Sequence, residues 1–332
     1  MAHAGASVVP LVAEPDDYEV DSAVGEEDQA SSTSIASSIL KYREENGRRY
    51  HAYKDGKYAL PNDEVIIYGA LYLNLQHHLF SLTFDGKLHL SPIDKSKLHR
   101  ILDAGTGTGI WAIDIADLYP QAEVVGIDLS PIQPTFVPPN VSFQIDDLEE
   151  PWTFNYKFDL IYARTMSGSL SDWPKFFQQC FENLNPGGYL EIVDVEMPLK
   201  TDDNTFPKDS ALLKWSKLVV EVSSSSGRPL MNSATKYISQ MEDAGFSKVF
   251  QKTFTWPMNR WPKDKHYKEM GWWNYENIAG GLSGLSMALL TRGLGWTEDE
   301  VEFFLVDVRK EMKNTKIHSY WPVHVYYAQK PE

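Results

Sequence analysis

Three glycines at alternate positions mark the part of the sequence best suited to hold a ligand. In ILDAGTGTGIW, residues 101–111, Gly105, Gly107 and Gly109 follow an apolar run that ends in Asp103. Glycine adopts positive φ and lets a ligand approach backbone amides without meeting a Cβ. Amides at the amino end of a helix also attract negative or electron-rich groups. The stretch therefore predicts a strand, a ligand-binding turn and a helix.

Carboxylates that follow neighbouring strand-like segments indicate which ligand this is. Asp128 closes EVVGID, and a carboxylate at the end of a second parallel strand is suited to both hydroxyls of an adenosine ribose. Asp146 and Asp147 follow VSFQI, where one carboxylate can accept a hydrogen bond from an adenine amino group. Together with Asp103 before the glycines, this pair favours S-adenosylmethionine over NAD.

Two other nucleotide-binding motifs fit the glycine turn less well. A dinucleotide fingerprint requires G-x-G-x-x-G, whereas the sixth position here is Ile110 and the third glycine comes one residue early. A Walker A loop requires a Gly-Lys-Ser/Thr sequence, which does not follow. An NAD-dependent dehydrogenase is therefore the weakest of the functions considered.

Strand-like and helix-like segments alternate through the chain, which predicts a doubly wound α/β fold. Such alternation gives a mostly parallel sheet with helices on both faces, and ligands bind beyond the carboxyl ends of its strands. Thr297 with Glu300 three residues later forms a capping-box pattern at a helix start. The predicted strands are 100–104, 123–128, 141–146, 158–163, 188–195, 247–256 and 323–330, and the predicted helices are 111–118, 174–184, 209–223, 233–244 and 297–314.

Composition and charge restrict the class of protein. The 332 residues are 42% hydrophobic, enough for a core, and the formal net charge of −15 repels nucleic acid and anionic membranes. Cys180 is the only cysteine, which excludes an intrachain disulfide and a cysteine-based zinc site, and no metal is expected. The longest apolar run, at 65–73, is shorter than the roughly 20 residues that cross a bilayer. No secretory signal is visible, so we expect a cytoplasmic protein.

Composition also divides the chain into three parts. Residues 1–38 are acidic and serine-rich, with eight acids between 14 and 28, and such a segment is expected to be a disordered tail. Residues 39–99 are expected to form a helical cap, and 100–332 the ligand-binding domain. Within that domain an aromatic-rich segment, about 256–292, is expected to cover the substrate, with the glycines of GGLSGL at 280–285 giving it mobility.

Six blocks of sequence in order resemble the fungal LaeA-like methyltransferases, a branch of the class I S-adenosylmethionine-dependent enzymes. The blocks are DAGTGTGIWAIDIA, VVGIDLSP, IDDLEEPW, FDLIYARTMSGSLSDWP, LNPGGYLEIVD and KNTKIHSYWPVHVYYAQKP, and the resemblance covers about residues 42–331. It implies a seven-stranded sheet whose last strand is antiparallel. One departure is NDEVIIYGALYLNLQHHL, which is apolar where the family has charges, so the cap is expected to face a greasier ligand, another chain or the core.

The resemblance also implies roles for individual residues. Around the methionine part of the cofactor it places Asp103, Gly105, Thr106, Gly107 and Gly109. Asp128 and Leu129 are implied at the ribose, and Asp147 and Leu148, beside Asp146, at the adenine. Arg164, at the end of the fourth strand, is implied beside the cofactor carboxylate or the substrate, with a surface salt bridge as the alternative.

A general base is harder to predict, because an activated methyl donor needs little beyond a nucleophile held in line. Histidine titrates near neutral pH, and His51, His77 and His78 are the candidates, with His318 and Glu196 as further ones. Adjacent residues on a helix point in different directions, so at most one of His77 and His78 is expected to face a pocket. Each of these side chains also has a plain structural explanation.

Two functions remain open from the sequence. The first is an enzyme that methylates the oxygen, nitrogen or sulfur of a small hydrophobic secondary metabolite in a fungal pathway. The second is a regulator of secondary metabolism and development that acts through protein partners, partly in the nucleus, with a protein acceptor or none. An aromatic wall around the acceptor favours the first, and the candidates for it are Trp256, Trp261, Tyr267, Trp272, Trp273 and Tyr275.

Overall fold

A seven-stranded sheet with helices on both faces forms the centre of the computed structural model, which describes residues 43–51, 53–54, 57, 61, 70–230 and 235–332. These residues all belong to one unit, Ser38–Glu332. In chain order the strands are β1 (Arg43–Glu45), β2 (Arg48–Tyr50), β3 (Arg100–Ala104), β4 (Glu123–Asp128), β5 (Val141–Ile145), β6 (Phe158–Arg164), β7 (Leu184–Val195), β8 (Ser247–Pro257) and β9 (Tyr320–Gln329).

The first strand of this sheet along the chain, β3, lies inside the sheet and not at its edge. Across the sheet the strands follow the order β5-β4-β3-β6-β7-β9-β8. The first five of these strands pair in parallel, and β9 runs antiparallel to both β7 and β8. The predicted doubly wound sheet with an antiparallel last strand is thereby confirmed. The chain reverses direction across the sheet between β3 and β6, which is where open α/β sheets bind ligands.

Helices cover both faces because the strands alternate two sets of apolar side chains. Ile101 and Leu160 belong to one core, and the next residues, Leu102 and Ile161, belong to the other. The helices are α1 (Ala70–Thr83), α2 (Ile110–Leu118), α3 (Trp173–Asn183), α4 (Ala211–Ser225), α5 (Thr235–Asp243), α6 (Lys265–Leu294) and α7 (Glu298–Met312). The first core is formed with α1, α2, α4, α6 and α7, and the second with α3 and α5.

The predicted capping box at the start of α7 is confirmed. The Thr297 hydroxyl accepts the N–H of Glu300 at 3.3 Å, and the Glu300 carboxylate accepts the N–H of Thr297 at 2.8 Å. Two of the unpaired amides at the helix start are satisfied in this way.

The segment before β3 contains more than helix. Its described residues include the antiparallel hairpin of β1 and β2 and the 14-residue helix α1. The tail at 1–38 and residues 62–69, which begin the segment NDEVIIYGALYLNLQHHL, lie outside the described residues. The disorder of the first and the apolar contacts of the second remain predictions. Among the described residues, no helix is long and apolar enough to cross a membrane.

The expected aromatic lid is a single long helix. From Lys265 to Leu294, α6 runs for 30 residues and packs against α1, α4 and α7. The side chain of Asp264 caps its start, and Gly295, with φ 70°, ends it. The glycines at 280–285, which the sequence suggests as the source of mobility, lie within this continuous helix. The mobility itself stays a prediction.

Candidate cofactor and acceptor site

The glycine turn between β3 and α2 is held against the end of β4. The N–H groups of Gly105 and Thr106 both donate to the carbonyl of Ile127 at 2.9 Å. Gly105 and Gly109 have φ values of 78° and 80°, which side chains other than glycine rarely adopt. A Cβ on Gly109 would lie 2.3 Å from the ring of Phe143. Internal packing, as well as a ligand, therefore requires the absence of a side chain here.

Asp103 closes β3 beneath this turn. Its carboxylate is 3% exposed and accepts a hydrogen bond of 2.6 Å from the hydroxyl of Thr106. Burial raises the pKa of Asp103 to about 6, while the Thr106 hydroxyl and the Arg164 guanidinium act in the opposite direction. A buried carboxylate of this kind can accept hydrogen bonds from a cation placed over the turn.

Asp128 connects β4 to the same turn. Its Oδ2 accepts the N–H of Gly107 at 2.9 Å, and its Oδ1 accepts the N–H of Ser130 at 3.0 Å. Burial raises the pKa of Asp128 to about 6, although these backbone hydrogen bonds lower it. Gln133, which the sequence did not single out, donates to the carbonyl of Gly107 at 2.6 Å. The turn is thus fixed from both its amide and its carbonyl side.

The acidic pair after β5 divides into an exposed and a buried carboxylate. Asp146 is exposed and accepts the N–H of Asp147 at 2.8 Å. Asp147 is 4% exposed and forms an ion pair with Lys57. Leu148, also buried, adds an apolar contact beside them. The pair therefore offers one open hydrogen-bond acceptor and one acceptor held by a cation.

Arg164 reaches the same place from the end of β6. Its guanidinium lies 4.6 Å from the centre of the Phe80 ring and 3.4 Å from Nδ1 of His77. Nε2 of His77 lies 2.9 Å from the carboxylate of Asp114. Because Arg164 can only donate, His77 accepts through Nδ1 and donates through Nε2. His77 thereby orients Arg164.

These residues line a cavity of about 230 Å³, called here the cofactor cavity. The structure brings ten of the eleven predicted cofactor-binding residues to its wall, and Gly109, which packs against Phe143, is the exception. Gly281 and Gly284 of α6 complete the wall opposite. The ten residues are Asp103, Gly105, Thr106, Gly107, Asp128, Leu129, Asp146, Asp147, Leu148 and Arg164.

A second and larger cavity, called here the acceptor cavity, has a volume of about 640 Å³. It shares Gln76, Thr165 and Leu285 with the cofactor cavity, so the two are neighbours. Its size lies in the ordinary range for small-molecule sites. Its wall includes three indole rings, those of Trp215, Trp256 and Trp321, with aliphatic side chains of α4 and α6.

The candidate bases lie elsewhere. Among the described residues, neither cavity has His51, His77 or His78 in its wall. His51 is buried, with Nε2 3.3 Å from the carbonyl of Lys54, and His78 is exposed and packs edge-on to Trp273. His318 pairs with Asp203 at 2.5 Å, and Glu196 pairs with His324 at 2.7 Å. Each of these side chains thus has a contact within the protein.

The aromatic residues at the acceptor cavity are mostly different from the expected ones. Of the six candidates only Trp256 lines it, while Tyr267 and Trp272 are about four-tenths exposed. Trp215 and Trp321 come from α4 and β9, where the sequence shows nothing beyond apolar periodicity. Asn277 of α6 was missed as well.

Asp194 was also missed, although it borders the acceptor cavity. It accepts the N–H of Ser167 and the hydroxyl of Tyr237, each at 3.1 Å, and burial raises its pKa to about 7. Along β7 it shares a face with Leu190 and Ile192, which belong to the core on the side away from α4 and α6. Its carboxylate therefore supports the turn after β6.

Metal chemistry has no evident site in the part of the chain that the structure describes, where no group of three or more His, Cys, Asp or Glu side chains could hold an ion. The site as described is one cavity with buried carboxylates and a glycine-rich turn, beside a larger cavity with three indole rings in its wall. That combination suits an adenosyl cofactor and a small neighbour.

Comparison with known proteins agrees with this arrangement. Residues 75–251 match the family model described as "Methyltransferase domain". The chain is 37% identical to "Methyltransferase pytC" of Aspergillus terreus, over 98% of this chain and 99% of that protein. It is 37% identical to "Probable methyltransferase tdiE" of Emericella nidulans, over 90% of this chain and 92% of that one.

Regulators are among the relatives too. The chain is 38% identical to "Secondary metabolism regulator LAE1" of Cochliobolus heterostrophus, over 87% of this chain and 94% of that protein. The predicted resemblance is thereby confirmed over most of the sequence. The chain belongs to the fungal LaeA-like branch of the class I S-adenosylmethionine-dependent methyltransferases.

Proposed function

We propose that this enzyme methylates a small, mostly apolar secondary metabolite bound in the acceptor cavity. The observation that carries the proposal is the contact between the two cavities through Gln76, Thr165 and Leu285. Ligands in the two cavities would therefore share these three side chains as neighbours. The three indoles of the acceptor cavity give the flat apolar walls that suit a ring system.

The residues of the cofactor cavity fit the methyl donor of the family. A Cβ at Gly105 would lie 2.2 Å from the sulfur of Met166, so glycine is required here for Met166 to pack against the turn that lines the cavity. We assign Asp103 and Arg164 to the charged amino-acid end of the donor, Asp128 to its ribose, and Asp146 and Leu148 to its adenine. When bound, S-adenosylmethionine supplies a methyl group that is already activated for displacement.

The protein's part in the reaction is then mainly to orient and to exclude water. Gln76, Thr165 and Leu285 hold the boundary between the two cavities, and the indoles limit how the acceptor can lie. Holding two reactants in line removes much of the barrier of a displacement. Asp194 is the one carboxylate among the described residues of the acceptor cavity wall, and it is committed to the turn after β6. We therefore assign catalysis to positioning, with no histidine as a general base.

A regulatory role is the second candidate, because the relatives include a named regulator at similar identity. In that case the acceptor is a protein or absent, and partner proteins carry the effect. A metabolite methyltransferase is proposed to act in the cytoplasm, and a regulator in the nucleus. An acceptor cavity of about 640 Å³ behind three indoles favours the small molecule.

The test combines donor binding with product formation. Purified protein is titrated with S-adenosylhomocysteine in a calorimeter, and is then incubated with methyl-labelled donor and an extract of fungal metabolites. Saturable binding and label in a small organic product support the proposal. Binding with label only in protein supports a regulator with a protein acceptor, and the absence of saturable binding refutes the enzyme.

A further inference from the structure

The amide of Asn277 is the most exceptional polar group at the acceptor cavity. It lies on α6, has no exposed surface, and borders the cavity. Within the described residues, neither its Nδ2 nor its Oδ1 has a hydrogen-bond partner. A buried polar group without a partner is destabilising, because the hydrogen bonds it makes with water in the unfolded chain are not replaced. A ligand in the cavity that forms hydrogen bonds with this amide would explain why the protein provides no partner for it.

The indole of Trp321 presents a second group of the same kind. It is 4% exposed, and its Nε1 has no partner in the part of the chain that the structure describes. The other two indoles of the wall differ in this respect. Trp215 donates to the hydroxyl of Ser286 at 2.8 Å, and Trp256 donates to the hydroxyl of Thr83 at 2.8 Å. Of the three, Trp321 alone has an indole N–H without a hydrogen-bond partner among the described residues.

The cations that border the acceptor cavity are already paired. Arg292 lies 2.5 Å from the carboxylate of Glu45, and Arg228 lies 2.6 Å from that of Glu149. Lys57 forms an ion pair with Asp147. A charged ligand would therefore find no uncommitted counter-charge among the described residues of the wall. This favours a neutral ligand.

We propose that Asn277 and Trp321 select a neutral, mostly apolar acceptor that carries a lactam-type edge. The inference rests on the proposed function, because it takes the indole-lined cavity as the place of the methyl acceptor. A carboxamide presents a donor and an acceptor side by side, and the complementary partner is an N–H beside a carbonyl. The N–H of Trp321 supplies one more donor for an oxygen of the same molecule. The indole and aliphatic walls then hold the apolar remainder.

A matched pair of probes tests the edge. 2-Quinolinone and coumarin have the same bicyclic shape and the same carbonyl, but coumarin has a ring oxygen where 2-quinolinone has an N–H. Binding is measured by calorimetry on protein loaded with S-adenosylhomocysteine. We expect 2-quinolinone to bind about tenfold more tightly, since coumarin leaves the Asn277 oxygen unpaired.

Variants assign the effect to the two side chains. Asn277→Leu keeps the size and is expected to abolish the preference for 2-quinolinone. Trp321→Phe is expected to weaken both probes alike, because both carry the carbonyl. Trp215→Phe is the matched control, since its N–H is bonded to Ser286, and it is expected to leave the ratio of the two affinities unchanged.

Thermal stability gives an independent readout. Removing an unpaired buried amide is expected to raise the melting temperature of unliganded Asn277→Leu, whereas Trp215→Phe breaks a protein hydrogen bond and is expected to lower it. A lower melting temperature in Asn277→Leu would mean that the amide is structural, and would overturn the inference. So would equal affinity for the two probes, no binding of either, or a preference that survives Asn277→Leu. In each of these cases, the proposed function still stands if the wild-type protein binds S-adenosylhomocysteine. If the wild-type protein does not bind it, the proposed function is refuted as well.

Discussion

Oδ2 of Asp128 accepts the backbone N–H of Gly107 at 2.9 Å, so a carboxylate at the end of β4 fixes the glycine turn that follows β3. Its other oxygen accepts the N–H of Ser130 at 3.0 Å. One side chain therefore links the end of β4 to the glycine turn after β3 without the help of a ligand.

Asp128→Asn is expected to weaken the binding of S-adenosylhomocysteine by about ten- to a hundredfold. An amide nitrogen cannot accept the N–H of Gly107 or a ribose hydroxyl, and hydrogen bonds to a charged group contribute about 1.5–3 kcal/mol. Calorimetry measures the change. Asp117→Asn, an exposed substitution on α2, serves as the control. Equal affinity in the two variants would show that Asp128 does not contact the cofactor.

Gly109→Ala is expected to destabilise the fold by about 2–4 kcal/mol, because the new Cβ would lie 2.3 Å from the Phe143 ring at a φ of 80°. Gly295→Ala isolates the backbone contribution, since Gly295 has a φ of 70° and no atom within 4 Å of the added Cβ, and about 1 kcal/mol is expected there. Urea unfolding gives both values. If both variants lost the same free energy, the Phe143 contact would not be what requires glycine.

The affinity for S-adenosylhomocysteine is expected to fall as the pH drops through about 6. Burial raises the pKa values of Asp103 and Asp128 to about 6, and only the carboxylate forms accept two hydrogen bonds per oxygen from the ligand. Below this pH the affinity is expected to fall about tenfold per pH unit for each proton taken up. Calorimetry at several pH values checks the slope, which should become shallower in Asp128→Asn. A profile that is flat across pH 6 in the wild type would contradict the assignment.

The unliganded protein is expected to show the opposite dependence at these two groups. Their folded-state pKa values lie above the ordinary aspartate value of 3.8, so the folded chain binds more protons than the unfolded chain between these limits. The stabilisation they give is present at low pH and is lost as the pH rises through about 6. Urea unfolding of the wild type and of Asp103→Asn is expected to differ in slope across this window. Parallel curves would rule out a raised pKa at Asp103.

His77→Gln is expected to weaken donor binding by only a few-fold and to leave the shape of the pH–rate profile unchanged. The reason is that His77 orients Arg164, 3.4 Å away, and does not line either cavity. Loss of a general base would instead cost about 10²–10⁴ in rate. Steady-state kinetics separate the two cases through KM and kcat. His78→Gln, at an exposed position beside Trp273, is the control, and a large fall in kcat in His77→Gln alone would restore the histidine as a base.

The cofactor cavity could be predicted from the sequence because its residues follow strands that are neighbours in the sheet. Asp103, Asp128 and Arg164 each stand at the carboxyl end of a strand, and parallel strands bring those ends together. Gly109 shows the limit of that argument. Its place in the motif indicates a ligand, whereas its Cβ position meets Phe143, a residue 34 positions further along the chain.

The acceptor cavity could not be predicted, since its wall combines segments with no shared motif. Trp215, Asn277 and Trp321 are brought together from α4, α6 and β9 only by packing against one face of the sheet. The surroundings of the histidines could not be predicted for a related reason. His77 contacts Asp114 and Arg164, and the sequence does not show that these side chains lie beside it.

Helix α6 borders both cavities. Gly281 and Gly284 line the cofactor cavity, and Asn277, Ile278 and Ala288 line the acceptor cavity. A shift of this helix that makes room for a bulkier metabolite must also move the wall of the cofactor cavity. Selectivity for the acceptor and affinity for S-adenosylmethionine therefore cannot evolve independently. Variants selected for new acceptors should carry compensating changes where the same helix lines the cofactor cavity.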